Sequence, residues 1–199
     1  MIGRLAAGLL ALTGWLGLVL YLVAGVASQN GDLLRAVWVN LGYLTDLSNL
    51  LLAVVMTGVA LGVRPLSRPH IVGWAIAANT TVGVGFWLIG GTLTVRESAL
   101  EDILLHAVTP WAGLLFWLLF APKGVLRWKR ALLWLAWPIG YFAYALARGA
   151  MTGDYAYPFL DPAQSSAADI AAIVGMITAV LAGWTVALLL LDRVMGRRG

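Results

Sequence analysis

The chain has 199 residues, of which 61% are hydrophobic and 11% are charged, with a formal net charge of +4 at pH 7. A soluble domain has roughly 25% charged residues, so this composition excludes that class and indicates an integral membrane protein. The sequence has no cysteine, which excludes disulfides, thiolate metal sites and cysteine nucleophiles. The basic residues lie in short loops between apolar runs, and they therefore favour membrane orientation over nucleic-acid binding.

Six apolar segments predict an all-α, polytopic membrane fold. A bilayer core about 30 Å thick requires roughly 20 apolar residues in a helix. Charged and turn-forming residues separate the segments from one another. We therefore predict a single six-helix transmembrane domain over residues 1–199, with helices at about 5–27, 41–62, 71–95, 102–120, 130–147 and 168–191.

Lys and Arg lie mostly on one side of the predicted membrane. Ten of the 13 basic residues fall on the side of both termini, and the other three are Arg35, Arg96 and Arg148. Because basic loops stay in the cytoplasm, both termini are predicted to be cytoplasmic. The excess of Arg over Lys, with abundant Ala, Gly and Leu, is typical of GC-rich bacteria. We therefore predict a multi-pass protein of the cell membrane, the inner membrane of a bacterium, surrounded by membrane lipids.

Polar residues form stripes near the outer ends of three predicted helices. Such side chains are costly in a bilayer unless they pair or face a cavity, so we expect the stripes to converge on one pocket. They consist of Thr45, Ser48 and Asn49, with Asp46 beside them; of Asp102, His106, Thr109 and Pro110; and of Trp137, Tyr141, Tyr144 and Arg148.

Structural interpretations of these residues compete with functional ones. A membrane Thr usually bonds to its own backbone, and Arg148 can form an interfacial ion pair with an outer acid. An intramembrane His is rarer and indicates function. The only histidines, His70 and His106, lie on opposite faces, so neither a metal site nor a haem is predicted, and no cofactor is expected. The pocket therefore suits an enzyme, or else a lipid-binding protein or a small-molecule or proton-coupled transporter.

Three motifs carry a resemblance to a known family. They are YLT at 43–45 followed by LSN at 47–49, the spacing of His106 to Pro110, and RGAMTGDYAYPFL at 148–160. Together they resemble a bacterial six-helix membrane family related to the androgen-induced and androgen-dependent TFPI-regulating proteins of animals. Those relatives are intramembrane threonine hydrolases of fatty acid esters of hydroxy fatty acids. The resemblance implies a lipid or fatty-acyl ester substrate, with Thr45 as nucleophile and His106 as its essential partner.

The chemistry of ester cleavage points to the same two residues. A threonine hydroxyl requires a base within hydrogen-bond reach, and His106 is the base at the predicted depth of Thr45. A third group should fix the imidazole tautomer, and Asp102 and Asp46 are both candidates. Asn49, Tyr144 and Ser48 are candidate oxyanion donors.

The outer segment 153–162 is aromatic and Pro-rich, which predicts an ordered cap. Arg148, Tyr157 and Asp161 lie in or beside this segment. Arg148 is expected either to pair with an acid in the cap or to receive the carboxylate of a fatty-acid substrate.

Overall fold

A computed structural model of the chain describes residues 1–93 and 99–197, and that part is helical with no strand. A π-helix, Leu104–Val108, joins α5 to α6, and 3₁₀ turns cover Leu132–Leu135 and Pro158–Leu160. The α-helices are α1 (Ile2–Ser28), α2 (Leu33–Asn40), α3 (Leu44–Leu61), α4 (Pro69–Leu88), α5 (Leu100–Ile103), α6 (Thr109–Phe120), α7 (Trp128–Ala131), α8 (Ala136–Thr152) and α9 (Ala167–Gly196).

Five helical stretches in the described residues are long and apolar enough to cross a membrane. They are α1, α3, α4, the continuous stretch Leu100–Phe120 and α9. The segment predicted at 130–147 is helical from Trp128 to Thr152, in three consecutive pieces of which α8, with 17 residues, is the longest. The prediction of an all-helical chain built on several membrane-length helices is therefore confirmed.

Helix boundaries differ from the predicted ones where local chemistry intervenes. The helix predicted at 71–95 ends at Leu88, because the chain turns at Gly90 with a φ of +88°, which only glycine adopts without strain. Residues 94 and 95, like Arg96, lie outside the described residues. The break predicted after residue 27 contains α2, whose N-cap Asp32 accepts a hydrogen bond from the Arg35 N–H at 2.9 Å.

The apolar core lies around α4, the most buried of the long helices, which packs against α3, α6 and α9. Trp117, Leu52 and Ile76 are among its fully buried side chains. Helix α1 packs along α3 and leaves its other face exposed, including Leu5 and Leu9, a distribution typical of a lipid-facing helix.

Candidate active site

Thr45 and His106 meet across the interface between α3 and the π-helix. The Oγ1 atom of Thr45 lies 3.2 Å from Nε2 of His106. The other ring nitrogen, Nδ1, lies 3.1 Å from the backbone carbonyl oxygen of Asp102. A carbonyl only accepts, so Nδ1 carries the proton, and the lone pair of Nε2 faces the threonine hydroxyl. This is the geometry of a nucleophile beside its general base.

His106 lies within the π-helix, a wide turn in which the Thr109 N–H donates to the carbonyl of Leu104. Pro110 follows directly and has no N–H to continue the backbone ladder. Turns of this kind occur frequently at functional sites, where they redirect side chains. The Pro110 of the sequence motif therefore lies in the first turn of α6, directly after the π-helix that carries the histidine.

Asn49 joins α3 to the π-helix, and both the nitrogen and the oxygen of its side-chain amide form hydrogen bonds. Its Nδ2 donates to the carbonyls of Thr45 at 3.0 Å and Leu105 at 3.2 Å, and its Oδ1 accepts from the Thr109 hydroxyl at 2.6 Å. In the π-helical register the Leu105 carbonyl faces Pro110, so the asparagine supplies the missing donor. Asn49 thus positions the two segments, and its amide hydrogens are not free for an oxyanion.

Two glycines allow neighbouring helices to approach the π-helix closely. A Cβ on Gly83 of α4 would lie 2.9 Å from Pro110 Cβ and 3.2 Å from the His106 carbonyl oxygen. A Cβ on Gly17 of α1 would lie 2.7 Å from Leu105 Cδ2. These distances are shorter than a normal van der Waals contact. The close packing of α1 and α4 against the π-helix therefore requires glycine at positions 17 and 83.

A largely apolar cavity of about 230 Å³ opens beside the Thr45–His106 pair. The Phe86 ring covers one face of the imidazole, with the two centroids 4.3 Å apart. Other lining residues include Val82, Phe142, Phe159 and Ile177. The cavity walls therefore suit hydrocarbon, with the Thr45 hydroxyl at one side.

Hydrogen-bond donors gather at the N-terminus of α3, where Thr45 is the second helical residue. The N–H groups of Thr45 and Asp46 have no intrahelical carbonyl to bond, since they belong to the first turn. The N–H of Leu44 donates to the Tyr157 hydroxyl oxygen at 3.2 Å, and this hydroxyl also lies beside Thr45 and Tyr141. The helix dipole adds partial positive charge at this end.

Asp102 and Asp46 are the two acids predicted to orient the imidazole. Asp102 contacts the ring, but with its main-chain carbonyl and not with its carboxylate. The carboxylate Oδ1 of Asp102 is 3.9 Å from Nδ1 of His106, beyond hydrogen-bond distance. Asp46 is 5% exposed, and its Oδ2 has no hydrogen-bond partner among the described residues. Asp46 lines the cavity without bonding to the histidine.

Three further predicted residues lie outside the cavity and hold helices together. Trp137 donates from Nε1 to the Ser48 hydroxyl at 3.1 Å. Tyr141 donates to the carbonyl of Gly42 at 2.8 Å, and Tyr144 donates to that of Leu41 at 3.1 Å. Ser48 and Tyr144 are therefore not placed to act as oxyanion donors, and all three side chains fasten α8 to α3 and its preceding turn.

Arg148 is 8% exposed and borders a second, polar cavity of about 370 Å³ that adjoins the first at Tyr43. Its guanidinium carbon lies 4.3 Å from the centroid of the Trp38 ring. Within the described residues Arg148 forms no ion pair, and its Nε has no hydrogen-bond partner. Asp154 pairs with Arg35 instead. The predicted ion pair between Arg148 and the cap is therefore absent from this part of the chain.

The other acid of the cap, Asp161, is engaged locally. Hydrogen bonds from Gln164 Nε2 at 2.7 Å and from the Ala163 N–H at 2.9 Å hold the pKa of the Asp161 carboxyl below its ordinary value. Asp161 lines the polar cavity as an ionised side chain whose acceptors serve its own turn.

Aromatic residues complete the cavity, and sequence analysis named only Tyr157 among them as a site residue. Tyr43 meets Tyr157 edge to face at 5.3 Å, and Tyr157 stacks on Phe159 at 4.9 Å. This packing orders the outer segment, together with Leu160, which is fully buried. The alternating aromatics of the YAYPF motif were the available signal, whereas Tyr21 and Phe86 gave none, because single aromatic residues are common in membrane helices.

Within residues 1–93 and 99–197, no three His, Cys, Asp or Glu side chains group closely enough to hold a metal ion. Comparisons with protein-family models, with curated proteins and with solved structures find no match to this chain.

Proposed function

We propose that this protein is an intramembrane lipid ester hydrolase with Thr45 as nucleophile and His106 as general base. The observation that carries the proposal is the 3.2 Å contact between the Thr45 hydroxyl and Nε2 of His106 at the wall of an apolar cavity. A side chain that only packs between helices has no need of a base oriented on its hydroxyl.

The reaction proceeds in two halves. Nε2 of His106 takes the hydroxyl proton while Thr45 Oγ1 attacks the ester carbonyl carbon, which forms a tetrahedral intermediate. The imidazolium then gives that proton to the departing alcohol, and an acyl-threonine remains. Water attacks this acyl group with the same base, and the carboxylic acid leaves as the threonine hydroxyl is restored.

The oxyanion is stabilised at the N-terminus of α3. The backbone N–H groups of Thr45 and Asp46 and the hydroxyl of Tyr157 are the proposed donors. Donors fixed by a helix end need no reorganisation when charge develops. They replace Asn49, Tyr144 and Ser48, whose polar groups are engaged elsewhere.

The substrate is a fatty-acyl ester. The lining of the cavity by Val82, Phe142 and Ile177 suits an acyl chain, and the family resemblance favours a fatty acid ester of a hydroxy fatty acid. Arg148, which forms no ion pair within residues 1–93 and 99–197, borders the adjoining polar cavity and suits the free carboxylate of such a substrate.

The helical stretch Trp128–Thr152 is the sixth membrane span of the proposed topology. Together its pieces cover 25 residues, roughly 37 Å at helical rise, which is enough for the bilayer core. With six spans both termini lie in the cytoplasm, and the Thr45 site lies in the outer half of the membrane.

A fluorophosphonate probe tests the proposal. The wild-type protein should be labelled covalently, and Thr45→Ala should not be. Thr81→Ala is the matched control, because Thr81 lines the same cavity with its hydroxyl bonded to the Ala77 carbonyl at 2.8 Å. Labelling of Thr45→Ala at the wild-type rate would identify another nucleophile, and an unlabelled wild type would favour the lipid-binding or transport alternative.

A further inference from the structure

We infer that a groove far from Thr45 binds one anionic phospholipid of the surrounding leaflet. The groove lies near the opposite ends of α3 and α4, on the side of the molecule that carries most of the basic residues, which we call the basic face. The groove has a volume of about 830 Å³ and lies between the start of α4 and the α7–α8 stretch. None of its lining residues belongs to the cavity of Thr45. The inference is independent of the proposed hydrolysis.

The mouth of the groove carries two arginines, Arg68 and Arg130. Arg68 is the N-cap residue of α4, Arg130 lies in α7, and both side chains are exposed. Among the described residues, neither has a carboxylate within ion-pair distance. The buried Asp192, close enough for its charge to act on His70, accepts instead from the Leu126 N–H at 2.9 Å. Such a mouth complements an anionic headgroup.

The walls behind the mouth are aromatic. Trp74 and Trp137 meet edge to face at 5.4 Å, and Trp134 is seated against α4 where Gly73 leaves room for its ring. Trp74 lies four residues beyond His70, about 6 Å further along the helix at 1.5 Å per residue. The groove thus changes from charged to apolar along the direction of the membrane normal, as an amphiphile does.

Two polar atoms in the groove are buried without a partner. Nε1 of Trp74 and Nδ1 of His70 have no hydrogen-bond partner in the described part of the chain. Trp137, in contrast, donates its indole hydrogen to Ser48. A buried indole N–H usually finds an acceptor, and the phosphate and ester oxygens of a phospholipid supply acceptors at this depth.

The groove is open towards the lipid side. Leu133, one of its walls, is 72% exposed, and Ala136 of the same face is exposed as well. A lipid can therefore enter laterally with its acyl chain against the tryptophans and its phosphate between Arg68 and Arg130. A free phosphate ion would use the mouth and leave the aromatic walls empty.

Native mass spectrometry of the full-length protein measures this binding. Purified protein is equilibrated with phosphatidylglycerol or phosphatidylcholine of equal chain length, and the retained lipid is counted. We expect the wild type to retain one phosphatidylglycerol in preference to phosphatidylcholine. Arg68→Gln combined with Arg130→Gln should weaken that binding about thirtyfold, roughly fivefold for each basic residue.

The matched control removes the same charge outside the groove, in Arg64→Gln combined with Arg127→Gln. Equal losses in the two double variants would overturn the site, because they would show diffuse attraction to the basic face. Equal retention of the two lipids by the wild type would overturn it as well.

A second pair of variants tests the groove itself with both arginines in place. Ala136→Trp fills the groove and should abolish retention, whereas Ile139→Trp adds the same bulk on α8 outside the lining. Retention by Ala136→Trp would contradict the proposal. Excess inorganic phosphate should leave the lipid bound, and its displacement by phosphate would assign the mouth to a free anion instead.

Discussion

Thr45 and His106 act as one unit in the proposed reaction, so their substitutions should not add. Thr45→Ala, His106→Ala and the double variant should all fall to a similar residual rate of ester hydrolysis. Thr45→Ser should keep part of the activity, because the hydroxyl remains while the methyl group that restricts its rotamer is lost. Rates with a fluorogenic acyl ester measure this, and additive losses would separate the two residues mechanistically.

The pH dependence of hydrolysis should report the protonation of His106. The imidazole accepts the Thr45 proton only when it is neutral, so the rate should fall as acidification protonates the ring. The residual rate of hydrolysis by His106→Ala should not show this fall at acidic pH. A wild-type profile that keeps its rate at acidic pH, as the profile of His106→Ala should, would exclude the imidazole as the base.

Arg148 should discriminate between substrates. Arg148→Lys keeps the charge but loses the planar fork that binds a carboxylate at two points, so esters with a free carboxylate should lose more turnover than neutral esters. Arg35→Lys is the control, since Arg35 borders the same polar cavity but pairs with Asp154. Equal losses on both substrate types would give Arg148 a purely structural role beside Trp38.

At the scale of elements, the π-helix sets the distance between Thr45 and His106, the proposed nucleophile and base. Gly83→Ala places a methyl group 2.9 Å from Pro110 and should push His106 away from Thr45. Because a displacement of about 1 Å at a reacting group costs up to 10²-fold, we expect hydrolysis to fall roughly tenfold or more. The protein should remain folded, as judged by its thermal unfolding.

Gly175→Ala is the control for that variant. Gly175 lies inside α9 with no atom within 4 Å of a Cβ built there, so alanine is tolerated. Both variants replace Gly by Ala inside a helix, which favours each helix by about 1 kcal/mol. A difference in activity between the two variants therefore reports the steric effect at Gly83. Equal activities of the two variants would show that the π-helix accommodates the methyl group.

Hydropathy located the long helices but not the features that shape the site within them. The Gly90-Gly91 pair marked the end of α4, although the apolar run continued beyond it. The π-helix was not predictable, because the widening of a helix by one residue leaves the apolar pattern of Leu104–Val108 unchanged. Helix α2 was missed since eight residues are too few for a membrane span.

At the scale of the whole molecule, the topology can be tested by cysteine labelling, since the chain has no cysteine of its own. With both termini cytoplasmic, a cysteine at Ala163 should react with an impermeant maleimide in intact cells. A cysteine at Val125 should react only after permeabilisation. Both positions are exposed. The reverse pattern would invert the protein in the membrane.

The polar stripes predicted which helices meet but not which atoms. Periodicity placed Thr45, Asn49 and His106 on inward faces, and their contact agrees with that prediction. Whether an inward polar side chain reacts or only fastens helices depends on its partners, which a single sequence does not contain. Asn49 and Ser48 looked equivalent to Thr45 in spacing, yet their polar groups are already hydrogen-bonded.

The imidazole of His106 is oriented by a backbone carbonyl, and this has a consequence for genetics. Every residue type at position 102 has a main-chain oxygen, so side-chain replacement there leaves the acceptor for Nδ1 in place. For the proposed reaction, an alanine scan would therefore identify Thr45 and His106 but not the main-chain carbonyl of residue 102 that orients the imidazole. A sequence search for a threonine–histidine–acid signature would select this chain for the Asp102 side chain, although the acceptor at that residue is its main-chain oxygen.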